Sequence, residues 1–312
     1  MTVYLNGSFL PAAEAKVGVF DRGFLLGDGV YEGVRAFSGV PMWTDRHVAR
    51  MKDGLYQAGI KADPSDLVEV SRKLLRLNGL PDAFLYWQIT RGEPSSSQPV
   101  RSRIPAGDMK PTVFAYASRT RPVAYYRQTV PTVKASVMQD IRWLRGRLKS
   151  TSLLGNVLSA LHANEHDASE AIMLRDGFVA EACACNVILA LPTASGSTEL
   201  VTPSLESAPI LAGITRERIC ELDPSIAQRP VREEELQHAT EVILTGTNAT
   251  VTAVTHLDDK PIGTGQAGPH ARRLLTLYMD AIDQAASQSE PALPLNGIAE
   301  PKQPLMTRGV GC

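Results

Sequence analysis

The stretch WLRGRLKSTSLLGNVLSALHANEH, residues 143–166, sets a single lysine, Lys149, where a run of arginines gives way to a Ser/Thr-rich helix start. Nine lysines stand against twenty-three arginines in the chain, so arginine is its ordinary surface cation. A lysine is by default a solvated surface residue, and its surroundings must argue for the amine instead. Ser150, Thr151 and Ser152 are each suited to cap the helix that follows. Leu154, Val157, Leu158 and Leu161 recur at helical spacing and predict a face turned to the core. The positive end of a helix dipole disfavours an ammonium just ahead of it by up to about 1 kcal/mol. Arg142, Arg145 and Arg147 push the same way if they stay close in space. Both effects favour a neutral, nucleophilic amine, the requirement of Schiff-base chemistry.

Outward from that stretch, the 312 residues are enough for two domains. A hydrophobic content of 44% with 21% charged residues describes a globular chain with ample core. The net charge of −1 gives no electrostatic case for nucleic acid or an anionic membrane as partner. Four cysteines, Cys183, Cys185, Cys220 and Cys312, are too few and too irregular for a disulfide framework. The C-x-C pair lacks metal-ligand spacing and reads as packing. The N-terminus has no basic and apolar leader pattern, and no apolar run is long enough to span a bilayer, so a cytoplasmic location is expected.

Local patterns divide the chain. Val3–Leu5, an Asn6-Gly7 turn and Phe9-Leu10 predict a hairpin. Residues 29–37 read as a strand, Thr44 as the cap of a helix, and residues 65–77 as a second helix stopped by Asn78-Gly79. Strands over 84–90 and 112–117 bracket a Pro-, Ser- and Arg-rich loop, residues 91–111, of the length that is usually functional. These observations predict a small N-terminal α/β domain over 1–117 and a linker over 118–131. A large C-terminal domain over 132–283 and a disordered tail over 284–312 follow. Within the second domain, Asp176-Gly177 predicts a hairpin between strands 171–174 and 178–189, and Gly213 opens a helix.

Three further features of that domain fit the chemistry of Lys149. Glu181, four residues past the turn in a largely apolar strand, would need a cationic partner if buried, and a protonated pyridine nitrogen would serve. Gly213, Ile214 and Thr215 offer helix-start N–H groups and a hydroxyl to a phosphate. Gly246, Thr247 and Asn248 form a second Gly/Thr turn after a strand. Each signal alone is weak. The rival chemistries are absent: there is no G-x-S-x-G elbow and no H-E-x-x-H. Gly27-Asp28-Gly29 lacks the third glycine of a dinucleotide fingerprint and reads as a turn. His162 and His166, an i, i+4 pair without a third ligand, read as surface residues.

The ordered set DRGFLLGDGVYEGVRAF, DRHVARM, QITRG, DIRWLRGRLKSTSLLGNVLSALHANE, GFVAEACACNVI, ILAGITRE and VILTGTNATVTAV resembles the fold-type IV, or class IV, pyridoxal-phosphate aminotransferases. Within that family the likeness is to the D-amino-acid transaminases. The resemblance spans residues 1–283. It implies a two-domain α/β (α+β) fold with pyridoxal 5'-phosphate at the domain interface, and a homodimer. Lys149 is then the lysine that carries the cofactor, Glu181 the partner of the pyridine nitrogen, and Arg50 the phosphate-binding arginine. Ile214, Thr215, Gly246, Thr247 and Asn248 complete the phosphate contacts, Leu211 packs on the ring, and Tyr31 lies on the substrate side. The substrates implied are a D-amino acid and a 2-keto acid, pyruvate or 2-oxoglutarate. A branched-chain L-amino-acid transaminase, an (R)-amine transaminase and an aminodeoxychorismate lyase share the cofactor residues and stand as alternatives. The chain departs from its relatives after Thr90-Arg91-Gly92, where the Arg-x-His that grips the substrate carboxylate is missing. Arg101 or Arg103 is expected to take that role, with Arg35 as a third candidate.

Overall fold

Asn6 and Gly7, both at positive φ, turn the first two strands of the chain back on each other. From that hairpin onward the computed structural model describes residues 1–95, 99–105 and 109–293, and the chain divides into two units. The first comprises Met1–Pro122, Leu148–Leu153 and a segment from Ala285 onward; the second comprises Val123–Arg147 and Leu154–Gln284. The six residues around Lys149 therefore belong by their contacts to the first unit, although the sequence pattern puts them in the larger domain.

The first unit is one antiparallel sheet with helices on one face. Its elements are β1 (Thr2–Leu5), β2 (Ser8–Pro11), α1 (Arg22–Leu26), β3 (Gly29–Phe37) and β4 (Val40–Pro41). These are followed by α2 (Thr44–Ala58), α3 (Leu67–Asn78), β5 (Ala83–Thr90) and β6 (Thr112–Arg119), in the sheet order β2-β1-β6-β5-β3-β4. Alternation along β3 sends Val30, Val34 and Ala36 into a core shared with Met51 and Leu55 of α2 and Leu74 and Leu75 of α3. Gly59 and Gly79 end the two helices in the left-handed conformation, which glycine adopts without a Cβ penalty.

The second unit contains α4 (Val123–Gln128), β7 (Thr132–Gln139), α5 (Leu154–Glu165), β8 (Glu170–Arg175), β9 (Phe178–Ala182), β10 (Asn186–Pro192) and β11 (Thr198–Pro203). It continues with α6 (Ile214–Leu222), β12 (Ala227–Arg229), α7 (Glu233–His238), β13 (Glu241–Gly246), β14 (Thr250–Leu257), β15 (Lys260–Pro261) and α8 (Pro269–Ser287). The sheet runs β12-β11-β10-β13-β14-β7-β8-β9, with β15 paired to β14. Strands β8, β10 and β13 of this sheet are buried along nearly their whole length, as expected where a sheet is covered on both sides.

Four expectations change. The strand read over 178–189 is two strands, broken at Cys183–Cys185 by a turn in which Ala182 donates to the Cys185 carbonyl. The residues read as a linker include the end of β6 and all of α4. Of the tail read over 284–312, residues 284–293 are ordered: α8 runs to Ser287, and Ala292 is buried in the first unit's core with its N–H on the Gly39 carbonyl. Residues 294–312 lie outside the described part. The apolar stripe of α5 is not turned to the core; Leu154, Val157, Leu158 and Leu161 are 71%, 51%, 45% and 52% exposed, while Ser159 and Ala163 face inward. No described helix is long and apolar enough to cross a membrane.

Candidate active site

Lys149 is held by the first strand pair it meets. Its carbonyl accepts from the Tyr31 N–H at 3.0 Å, the Thr151 N–H donates to the Gly29 carbonyl at 3.0 Å, and Ser150 forms an antiparallel bridge with Val30. The hydroxyls of Thr151 and Ser152 donate to the carbonyl of Gly27, at 3.0 and 3.1 Å. These residues therefore do not cap α5, which starts at Leu154. The Gly27-Asp28-Gly29 turn has its explanation here. A Cβ at Gly27 would sit 2.4 Å from the Ser152 hydroxyl, and one at Gly29 3.0 Å from the Ile89 carbonyl. Bare Cα atoms let the lysine segment lie against β3.

The amine of Lys149 sits 4.2 Å from the centroid of the Tyr31 ring. Tyr31 stacks on Tyr86, and Tyr86 on Tyr116, at 5.6 and 5.1 Å, so the open face of the sheet is an aromatic row. On the opposite face Glu32, fully buried, accepts Nε and Nη2 of Arg50 at 2.7 and 2.8 Å and pairs with Nδ1 of His47 at 2.8 Å. Burial alone would raise its carboxyl, but the Arg50 charge and hydrogen bonds overcome that and hold it at about 2. For His47 burial dominates and pulls the ring below its ordinary range, with the charges of Arg50 and Lys149 adding to the effect. The cations that bear on this corner of the first unit are thus Arg50 and Lys149, with His47 held toward its neutral form. Neither Glu32 nor His47 was singled out from sequence. The signal available was an i, i+3 His/Arg pair on α2 opposite an acid at an inward position of β3.

In the second unit the β9–β10 turn folds Asn186 back beside Glu181. Glu181, 5% exposed, accepts Nη1 of Arg142 at 2.5 Å on one oxygen. Its other oxygen takes the Asn186 amide at 3.1 Å and the Leu211 N–H at 3.0 Å. Arg142 also clasps Asp140 through Nε and Nη2. Its guanidinium is driven above its ordinary range because these two carboxylates outweigh its burial. Arg142 is therefore the cationic partner that a buried Glu181 requires, rather than a charge left over to act on Lys149. Arg145 and Arg147 are exposed.

Leu211, Gly213, Ile214 and Thr215 are brought to the same place. Asn186 also donates to the Leu211 carbonyl at 3.0 Å, and a Cβ on Gly213 would fall 1.9 Å from Oδ1 of Asn186. Gly213 caps α6 with no side chain, so helix geometry leaves the first N–H groups for another acceptor. Arg216 pins that helix to the sheet through Thr202, the Pro203 carbonyl and Gln228. The Thr215 hydroxyl is buried, 3.4 Å from the Tyr278 hydroxyl on α8. Gly246, Thr247 and Asn248 form the half-buried β13–β14 turn. A Cβ on Gly246 would meet Sγ of Cys185 at 3.2 Å, so this turn abuts the one that carries Glu181.

The three arginines expected near a substrate carboxylate separate. Arg35 is buried, donates Nη2 to the Arg121 carbonyl at 2.7 Å, and lies over the Phe37 ring at 4.7 Å, which makes it a structural clamp at the far end of β3. Arg101 and Arg103 are exposed on the loop after β5.

Comparison with known proteins points one way. A family profile described as amino-transferase class IV matches residues 29–257. The chain is 34% identical over 292 residues to the D-alanine aminotransferase of Staphylococcus haemolyticus, covering 91% of this chain and 99% of that protein. It is 34% identical over 288 residues to the D-alanine aminotransferase of Bacillus licheniformis, covering 90% and 97%. Among solved structures, the branched-chain aminotransferase of Thermoproteus uzoniensis with norvaline superposes with a TM-score of 0.79 at 24% identity, covering 94% of this chain and 99% of that one. The branched-chain amino acid aminotransferase of Thermobaculum terrenum, in its PLP-bound holo form, gives 0.76 at 21%, covering 90% and 93%.

Proposed function

Because the chain belongs to the class IV aminotransferases, which depend on pyridoxal phosphate, we propose that it moves an amino group between a D-amino acid and a 2-keto acid such as pyruvate or 2-oxoglutarate. The observation that carries the reading is the placement of Lys149, whose amine rests on the Tyr31 ring at the edge of an aromatic face. The choice of D-amino acids rests on the likeness to D-alanine aminotransferases over nine-tenths of the chain.

The residues present fit the cofactor. The α6 start is uncapped, a buried carboxylate stands beside it, and the bare Cα atoms of Gly213 and Gly246 let both turns close against the β9–β10 turn that carries Glu181 and Asn186. When bound, pyridoxal phosphate supplies an aldehyde for an amine and a ring able to take up the electron pair left when the α-hydrogen departs as a proton. Arg50 and the N–H groups of Ile214 and Thr215, with Gly246, Thr247 and Asn248, would hold its phosphate. Leu211 would lie against the ring. Glu181 would hold the pyridine nitrogen's proton, and Arg142, Asn186 and the Leu211 N–H fix its carboxylate in place for that task. Lys149 Nζ would accept the α-proton and return it. The Tyr31 ring face attracts an ammonium, so Nζ keeps its place while it carries a proton. Arg101 or Arg103 would grip the substrate carboxylate, where a bidentate guanidinium is the best single partner. The reading includes a homodimer acting in the cytoplasm; its three described cysteines are all thiols.

The test is a donor panel of D-alanine, D-glutamate, L-leucine and (R)-1-phenylethylamine with pyruvate and 2-oxoglutarate. D-amino acids should lead by at least about tenfold in kcat/KM, equivalent to about 1.4 kcal/mol. Borohydride should erase the visible band and leave the reduced cofactor on the Lys149 peptide, and Lys149→Ala should show no such band. A faster reaction with L-leucine, or the adduct on another lysine, would overturn the assignment.

A further inference from the structure

The loop that carries Arg101 and Arg103 is gripped from α1, and we infer that Arg22 is the residue that positions the Arg101-Ser102-Arg103 turn for carboxylate binding. The inference rests on the reading that a loop arginine holds the substrate carboxylate. Arg22 is 3% exposed although it is a guanidinium. Its Nε donates to Asp28 at 2.7 Å, its Nη1 to the Ser102 carbonyl at 2.5 Å and its Nη2 to the Arg103 carbonyl at 3.4 Å. Two successive carbonyls on one planar fork fix the rotation of the backbone between them, and with it the directions in which the two flanking side chains leave. The loop's own hydrogen bonds at this point are local: Ser102 N–H to the Pro99 carbonyl, and the Ser102 hydroxyl to the Ile104 carbonyl.

The rest of the clasp lies at the loop's base. Asp21 caps α1 by accepting the Gly23 N–H, and its other oxygen takes the hydroxyls of Thr90 and Thr112, at 2.9 and 2.7 Å. Those threonines are the last residue of β5 and the first of β6, so one carboxylate ties both ends of the loop together. Asp28 receives Arg22 on one side and both Nε and Nη2 of Arg91 on the other. Its carboxyl is held below the ordinary range, because the two guanidinium partners outweigh its burial. Arg91 in turn reaches the carbonyls of Ala58 and Gly59 at the end of α2. Asp21, Arg22, Asp28 and Arg91 thus form a rigid mount, and Arg22 alone of the four reaches the turn between the two exposed arginines. A mount of this kind is what a long loop needs if it is to present a cation within a few tenths of an ångström.

Arg22→Lys separates positioning from folding, because it keeps a cation beside Asp28 but cannot span two carbonyls in one plane. With the holoenzyme, KM for D-alanine should rise roughly tenfold while kcat, the visible band of bound cofactor and the thermal midpoint stay near wild type. Arg22→Gln, which can still reach one carbonyl, carries the same expectation and serves if the lysine variant does not fold. In a background of Arg101→Ala with Arg103→Ala, Arg22→Lys should add less than about twofold, since a mount matters only for what it presents. If the loop double variant raises KM and the Arg22 variants do not, the inference fails and the carboxylate reading stands. If the double variant itself keeps the wild-type KM for D-alanine, the carboxylate reading fails and the inference falls with it. A loss of kcat and midpoint at unchanged KM would make Arg22 a folding residue only.

Discussion

Glu170 opens β8 with no exposed surface, and among the described residues neither carboxyl oxygen meets a hydrogen-bond partner in good geometry. Burial pushes its carboxyl up to about 7, and the nearby N–H groups of Ala184 and Cys183 offset only part of that. The same pocket drives the Cys183 thiol up to about 12, first by burial and then by the charge of Glu170, so this thiol is inert at ordinary pH. A carboxyl raised in the folded state contributes stability below its unfolded value near 4.5, and that contribution is lost as pH rises through about 7. Glu170→Gln mimics the protonated acid and cannot ionise. At pH 8 the variant should therefore be more stable than wild type by roughly 2–3 kcal/mol, and near pH 4 the two should be nearly equal. Urea unfolding at the two pH values measures this; a variant less stable at both would show that the carboxylate has a partner worth keeping.

The turns and helix starts decide what could be read in advance. Lys149, Glu181, Leu211 and the Gly213 and Gly246 turns could be singled out as candidates because most carry a short signature that survives in one dimension: a lone lysine, an acid in an apolar strand, a glycine before a helix. The orientation of α5 was not legible, since an apolar stripe has the same period whether a core or another chain covers it. The break at Cys183–Cys185 was hidden because the run from Val179 to Leu189 is apolar apart from Glu181 and Asn186, and no Gly or Pro marks the turn. The burial of Arg35 was hidden for a related reason, as a sequence cannot say which arginine on a strand is buried. The pairing of β3 with α2 was equally silent, and it supports a prediction. Glu32 is fully buried and doubly bonded to Arg50, so Glu32→Gln sets an amide N–H against a guanidinium and strands a buried charge. The expected cost is about 3 kcal/mol of folding stability, read by denaturant unfolding near pH 7. A carboxyl held down at about 2 contributes stability above its unfolded value near 4.5 and loses it as pH falls toward 2. The gap between wild type and variant should accordingly narrow across that acid window; a gap that is constant with pH would mean that the variant fails through packing alone.

At the scale of the whole molecule, the exposed stripe of α5 is the feature that a single chain leaves unexplained. Four aliphatic side chains at i, i+3, i+4 and i+7 stand about half or more in solvent, an arrangement that monomers avoid. The start of α5 packs on Arg142, with the Cα of Arg142 3.3 Å from a Cβ built on Gly155, and the two residues after Arg142, Trp143 and Leu144, are themselves exposed apolar side chains. A second copy of the chain is the occupant we propose, because a symmetric pair lays the same stripe against itself and needs no other partner. A stable dimer buries on the order of 1,000 Å² or more, which one exposed helix stripe can seed. Leu158→Glu puts a charge at the centre of the stripe, at a position too exposed in the single chain to disturb its own core. Wild type should sediment at twice the chain mass and the variant at the chain mass, with the same far-ultraviolet circular dichroism. A dimer that persists in Leu158→Glu and in Leu161→Glu would move the subunit interface elsewhere, and a wild-type monomer would leave the stripe to a different partner.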